Sequence, residues 1–211
     1  MAECEDDLGD DGIKPWFQKQ LQPVVQALWH VHPDALNWGA LGVSMGAASL
    51  LYSAYEEPRF ALAAAPLLVL RLVLNALDGM VQQQQGDARA HGTVINELSD
   101  RLSDVAIFLP FAFWPEMRMQ VVLLAIVSML IVSYVGLLGK AVSGKRASDG
   151  LLSRPNRMIL LVVACIIYAL LPANKLYGFN IFEVMFILFI PLASVTLLQR
   201  LNTIFASIDR R

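Results

Sequence analysis

The sequence predicts an all-α, polytopic membrane protein: six transmembrane helices preceded by an N-terminal amphipathic helix at the membrane interface. Three observations predict it. The 211-residue chain is 56% hydrophobic, with a mean hydropathy of +0.54. Only 16% of its residues are charged, against about 25% in an ordinary soluble domain. The apolar residues are also gathered into long blocks, and roughly 20 of them cross a bilayer core of about 30 Å.

Residues 1–14 form an acidic tail. Glu3, Glu5, Asp6, Asp7, Asp10 and Asp11 leave it too polar to bury a core, so disorder is expected. The start, MAECEDDLGDDG, is acidic where a signal peptide would be basic, so no cleavable signal is expected. Residues 15–32 mix Trp16, Phe17 and Val24 with Lys19 and Gln18, the pattern of an interfacial helix. Residues 33–200 form the membrane domain. Its spans are expected at 36–55, 59–81, 93–113, 119–139, 157–173 and 180–199, and a cytoplasmic tail at 201–211 follows. Gly42 and Gly46 form a small-xxx-small pattern for close helix contact. Trp16, Trp29, Trp38 and Trp114 fall near the expected interfaces, where indoles anchor. Pro191 is expected to kink the sixth span.

Some function classes drop out. Cys4 and Cys165 make neither a disulfide framework nor a zinc spacing. A net charge of −2 carries no sign of nucleic acid, and none is expected as a partner. Orientation follows from the basic residues. With six spans both termini share one side, and that side carries most of the Lys and Arg, so both termini are placed in the cytoplasm. The same bias puts the loops 82–92 and 140–156 on the cytoplasmic face.

The chemistry gathers where the second span meets the third. Asn75, Asp78 and Gly79 end one; Gly92, Asn96, Asp100 and Asp104 open the other. The last four recur every fourth residue and share one helix face. Two antiparallel helices joined by a short loop would set these faces opposite each other. Ionisable groups at that depth are costly, and they face one another or a water-filled cavity. Carboxylate and amide oxygens together suit a hard divalent cation; a polar seam between two helices is the plainer account.

This stretch resembles the CDP-alcohol phosphotransferases, whose motif is D-x-x-D-G-x-x-A-R-x8-G-x3-D-x3-D. Here the frame reads Asn75-x-x-Asp78-Gly79-x-x-Gln82-Gln83, eight residues, then Gly92-x3-Asn96-x3-Asp100. Every spacing fits; Asp78, Gly79, Gly92 and Asp100 match in identity. Pro33-Asp34-Ala35-Leu36-Asn37 is similar to the family's P-N-x-L-T at the entrance to the first span. The resemblance implies an enzyme of phospholipid biosynthesis that transfers a phosphatidyl group from CDP-diacylglycerol to an alcohol acceptor and releases CMP. It implies Mg²⁺ or Mn²⁺ held by Asn75, Asp78, Asn96 and Asp100, with Asp100 as general base. It implies nucleotide contacts from Asp34, Asn37, Gly79, Gln82, Gln83 and Gly92, membrane lipids as surroundings, a homodimer, and a bacterial inner membrane.

The departures have consequences. Two of the motif's four carboxylates are amides here, and two carboxylates balance one divalent ion where four balance two. A unit-charge pair at about 4 Å is worth on the order of 4 kcal/mol at an effective dielectric of roughly 20. One resident metal is therefore expected, with a second arriving, if at all, with the nucleotide. The motif arginine is Gln83, a neutral donor, and Arg89 in the loop could substitute for it. For the acceptor, the basic loop offers Lys140, Lys145 and Arg146, and Arg154 and Arg157 open the fifth span three residues apart on one cationic face. Anionic lipid headgroups are the alternative partner for these charges.

Two other functions stay open. A soluble CDP-alcohol such as CDP-ethanolamine could donate its headgroup to a lipid hydroxyl, or a degenerate family member could bind lipid or metal without turnover. A small transporter would show inverted repeats, and none is visible. One contact lies outside the motif. Arg71 precedes Asn75 by one turn and Asp104 follows Asp100 by one turn, so both sit about 6 Å deeper. They are expected to form a buried ion pair, the floor of the site.

Overall fold

The structure is a computed structural model. It describes residues 33–85, 90–144, 150–171, 175–176 and 179–208, and before them the single helical position Gln26. The expected acidic tail and nearly all of the expected interfacial helix lie outside the described residues, as do 209–211.

Helices lie on all six apolar blocks. They are α1 (Pro33–Ser53), α2 (Arg59–Gln85), α3 (Ala90–Phe108), α4 (Met119–Ser143), α5 (Arg154–Leu170) and α6 (Ile181–Ile208). A 3-10 turn, Leu109–Phe113, follows α3; Pro110 removes a backbone donor there and tightens the chain. Two-residue strands, β1 (Lys175–Leu176) and β2 (Phe179–Asn180), pair antiparallel before α6. The fold is otherwise all-helical. Among the described residues, only α2, α4 and α6 are by themselves long and apolar enough to cross a membrane, over Arg59–Val81, Met119–Val142 and Ile181–Ile208. The others fall short of the expectation for visible reasons. Small and polar residues dilute α1, α3 carries Glu97, Asp100, Arg101 and Asp104, and α5 has 17 residues.

α1 packs along both α2 and α3, α2 against α5, and α4 against α6. The α1–α2 contact is built from alanine and leucine: Ala47, Leu51 and Ala54 meet Ala61, Ala64, Ala65 and Leu68, all buried. Of the two glycines expected to bring helices together, Gly46 does face α2, where a Cβ would lie 3.7 Å from Leu67. Gly42 has open space beside it, so the close approach rests on the alanines.

The two ends of the bundle differ. At one end Phe111, Trp114, Tyr168 and Phe182 stack on one another with centroids 4.5–5.5 Å apart, favourable separations for tilted and edge-on rings. Trp114 is therefore only 2% exposed, a core residue rather than the interfacial anchor expected. The starts of α4 and α6 meet at the same end, where Arg118 Nε donates to Glu183 Oε1 at 2.6 Å. α6 runs on through Pro191 as one helix.

The opposite end holds the polar residues. Its geometry depends on how the chain enters α5. Gly150 has φ +121, and a Cβ there would collide with Thr196 on α6. Two residues on, the Leu152 N–H donates to Thr196 Oγ1 at 3.0 Å. This docking sets where Arg154 begins its helix. Gly150→Ala should cost about 1–3 kcal/mol through backbone strain and overpacking. A thermal midpoint equal to that of the parent would show that the loop is free of α6.

Candidate active site

Helices α1, α2, α3 and α5 each bring polar side chains to this end. The apolar face of α2 packs into the bundle, which leaves Asp78, one turn past Leu74, inside and 2% exposed. Asn96 Nδ2 on α3 and Asn37 Nδ2 on α1 both donate to its carboxylate, Asn37 at 3.5 Å to Oδ1 and Asn96 in a short contact to Oδ2. Each of its two oxygens thus meets a different helix. Asn75 is half-buried on α2 and makes no side-chain hydrogen bond among the described residues. Gly79 is exposed, with nothing within 4 Å of a would-be Cβ, so the helix backbone is open to an approaching ligand there.

One turn further along α3, Asp100 is buried and accepts a short hydrogen bond from Arg154 Nη1. Deeper still, Asp104 is 4% exposed. Arg71 Nη2 donates to its Oδ1 at 3.0 Å, and Arg71 Nε donates to Ser44 Oγ on α1, also at 3.0 Å. Arg157, Arg101 and Arg154 lie 3.6, 3.8 and 3.9 Å from Asp104 Oδ2. The expected Arg71–Asp104 contact is therefore part of a larger group in which one carboxylate sits among four guanidiniums. Arg101 also reaches Glu97 at 2.7 Å, one turn back.

The structure revises how these residues meet. α2 and α3 were expected to face each other directly. Among the described residues they make little close backbone contact, and α1 packs along both instead. The stripes meet through polar side chains, Asp78 with Asn96 and Arg71 with Asp104. Arg154 and Arg157 do share a face, and it points at Asp100 and Asp104. The reason is electrostatic: with buried carboxylates so near, a guanidinium facing elsewhere would leave charges uncompensated in a medium of low dielectric. Lys140, in the last turn of α4, remains exposed. Asp34, Gln82 and Gln83 stand on described helices, but their side chains lie outside the description; Arg89, Lys145 and Arg146 lie outside the described residues altogether.

Several participants were missed from the sequence. Arg101 follows Asp100 directly, and Arg200 stands near the end of an apolar block, where it is 7% exposed and donates to the Val132 carbonyl at 2.6 Å. An ionisable residue inside an apolar run was the available signal for Arg200, and the i, i+4 spacing from Glu97 for Arg101. Ser44 and Ser133, partners of Arg71 and of Arg157 (3.4 Å), carry no such signal.

No family model matches the chain. A phosphatidylinositol phosphate synthase of Corynebacterium glutamicum is 30% identical over 165 residues, 74% of this chain and 73% of that protein. With the spacing of the Asn75–Asp100 frame, this decides the family. The chain is a CDP-alcohol phosphotransferase family member. The inner membrane protein YnbA of Escherichia coli is 33% identical over 150 residues, 70% of this chain and 74% of YnbA. The fold agrees as well. A crystal structure of Mycobacterium tuberculosis phosphatidylinositol phosphate synthase with CDP-DAG bound superposes with a TM-score of 0.67, covering 87% of this chain and 92% of that one at 23% identity. The same enzyme in complex with manganese and citrate gives 0.66.

For a CDP-alcohol phosphotransferase family member, the donor set here is unusual. Among the described residues no three His, Cys, Asp or Glu side chains converge. Two carboxylates, Asp78 and Asp100, and two amides, Asn75 and Asn96, stand at the motif positions. These are hard oxygen donors and fit one divalent ion. Asp78 suits the part: it is a buried carboxylate with an amide N–H group on each oxygen.

Proposed function

We propose that the chain transfers a phosphatidyl group from CDP-diacylglycerol to an alcohol acceptor, releasing CMP, as an integral protein of a bacterial inner membrane. The observation that carries this reading is the convergence of Asn37 and Asn96 on Asp78 at one end of the bundle, beside the open backbone of Gly79 and one helical turn from Asp100. The relatives named as phosphatidylinositol phosphate synthases and the CDP-DAG-bound neighbour support the choice of donor.

In this reading all six helices span the bilayer, with both termini in the cytoplasm. The exposed Lys140 stands at the polar end, where the positive-inside bias calls for it. The chain forms a homodimer as the family resemblance implies.

The acceptor oxygen attacks the phosphorus that carries the diacylglycerol. A bond forms between them as the bond to the bridging oxygen breaks, and CMP leaves with that oxygen. Asp100 takes the acceptor's hydroxyl proton. Asp78, Asp100, Asn75 and Asn96 would hold the divalent ion, Mg²⁺ or Mn²⁺, which when bound would neutralise charge on the diphosphate. Asn37 fixes the Asp78 carboxylate from α1, and Gly79 lets the nucleotide lie against α2. Gln82, Gln83, Gly92, Asp34 and Arg89 are placed around the nucleotide, and Lys140, Lys145 and Arg146 toward the acceptor.

The test is CMP release by purified protein from CDP-diacylglycerol, with and without Mg²⁺ or Mn²⁺ and across a panel of alcohol acceptors. Release only from a soluble donor such as CDP-ethanolamine would assign headgroup transfer instead. No release from any donor, with metal still bound, would make the chain a binding protein of this fold.

Metal affinity supplies a separate expectation. Asp78→Asn should abolish Mn²⁺ binding in calorimetry run with CDP present. Asn96→Asp would set a second carboxylate against Asp78, a repulsion that a divalent ion relieves, so affinity should rise. Affinity indifferent to both changes would misplace the site.

A further inference from the structure

Asp100, the base in the proposed reaction, is bound to Arg154 of α5. The two residues are 54 apart in sequence, and Arg154 is held in place by the docked 150–153 loop. This contact sits badly with a carboxylate that must ligate a divalent ion and accept a proton. A guanidinium hydrogen-bonded to it competes for the same lone pairs and lowers its appetite for both. The contact also has an evident counterpart in the sequence. The two motif positions that are amides here have removed negative charge, and the motif arginine that would meet the diphosphate is Gln83.

Resting on the proposed reading, we infer that Arg154 is an internal exchangeable cation. It neutralises Asp100 while no nucleotide is present. It moves to the donor's diphosphate as Asp100 turns to the divalent ion, filling the place of the absent motif arginine. Three observations carry this. Four guanidiniums (Arg71, Arg101, Arg154, Arg157) crowd Asp104, while Glu97, Asp100 and Asp104 are the acids paired with them, so cation is in excess among these contacts. Arg154 Nε and Arg157 Nε are buried and hydrogen-bond nothing, so Arg154 has a donor left over for an incoming oxyanion. And Arg154 is the arginine of the group whose strongest contact is with the motif carboxylate itself, with its side chain 18% exposed where Arg71 and Arg157 are 1% and 3%. It can therefore swing, and they cannot. A planar guanidinium pairs with a phosphate as well as with a carboxylate, so the exchange keeps its hydrogen bonds. The ordering that results is that metal binds weakly until nucleotide draws Arg154 away.

The test reads binding, not turnover. Free Mn²⁺ is titrated by electron paramagnetic resonance in the presence of the full-length protein in nanodiscs, with and without CDP as the nucleotide probe. Arg154→Gln should tighten Mn²⁺ binding without CDP by on the order of tenfold, the weight of one charge-assisted hydrogen bond. Arg154→Lys keeps a cation beside Asp100 and should stay near the parent. In the parent, CDP should tighten Mn²⁺ strongly; in Arg154→Gln that enhancement should largely vanish, and metal-free CDP binding should weaken. A monodisperse, cooperatively melting Arg154→Gln protein with Mn²⁺ affinity within twofold of the parent would overturn the role of Arg154 alone. No Mn²⁺ binding in the parent, Arg154→Gln and Asn96→Asp alike would overturn the metal site, and the exchange with it.

Discussion

Asp104→Leu is expected to destabilise the protein by about 3–5 kcal/mol, the cost of removing one partner from a buried charge group. Asp104 faces four guanidiniums within 4 Å, three of them through a single oxygen. Removing it leaves Arg71 with Ser44 as its remaining hydrogen-bond partner, and leaves the other three guanidiniums repelling one another. Arg71→Leu should cost less, because Asp104 keeps its remaining cations. The double variant Arg71→Leu/Asp104→Leu should recover part of the single Asp104→Leu loss, since one of the stranded charges is gone. Thermal unfolding in detergent of the three variants measures this. A double variant no more stable than Asp104→Leu would show that Arg71 is neutralised by something other than Asp104. The simple pair expected of the sequence, in which removing one partner costs more than removing both, is here one contact of a group of four guanidiniums around Asp104.

Asp100→Asn is expected to lower CMP release by about 10²–10⁴-fold, the contribution of a positioned general base. The fold should persist, because an amide keeps the shape and can still accept a hydrogen bond from Arg154 through its oxygen. CDP should still bind, since the contacts proposed for the nucleotide do not include Asp100. The measurement is a progress curve of CMP release beside a CDP binding isotherm for the same preparation. Near-normal turnover in a folded Asp100→Asn protein would move the base elsewhere, and Asp104, enclosed by arginines, would be a poor replacement. A parallel loss of CDP binding would mean that Asp100 serves the nucleotide rather than the proton.

How much was legible beforehand follows the range of each signal. Helix positions were read within a few residues because apolar blocks are local: α1 to α6 fall on the six expected segments. Their ends were less so. The third span was expected to run to 113, but Pro110 turns its last residues into a 3-10 helix. The fifth begins at Arg154, where Ser153 in extended backbone and Pro155 in the first turn start a helix. The facing of Asp78 and Asn96 came from periodicity alone, and so did the depth shared by Arg71 and Asp104.

The sequence by itself determined the all-helical class, the family frame from Asn75 to Asp100, and which residues line the inner stripes of α2 and α3. These depend on spacing along one chain segment, and helical geometry turns spacing into direction. Only the tertiary structure decided that α1 packs against both of these helices, that Asn37 reaches Asp78, and that Arg154 closes on Asp100. It also decided that Arg157 and Arg101 gather at Asp104 rather than facing solvent. Those choices are made between segments far apart in sequence. Which helices pack is set by the fit of small and large apolar side chains. Once they pack, a buried charge has no water to turn to and takes whichever opposite charge the packing has brought near.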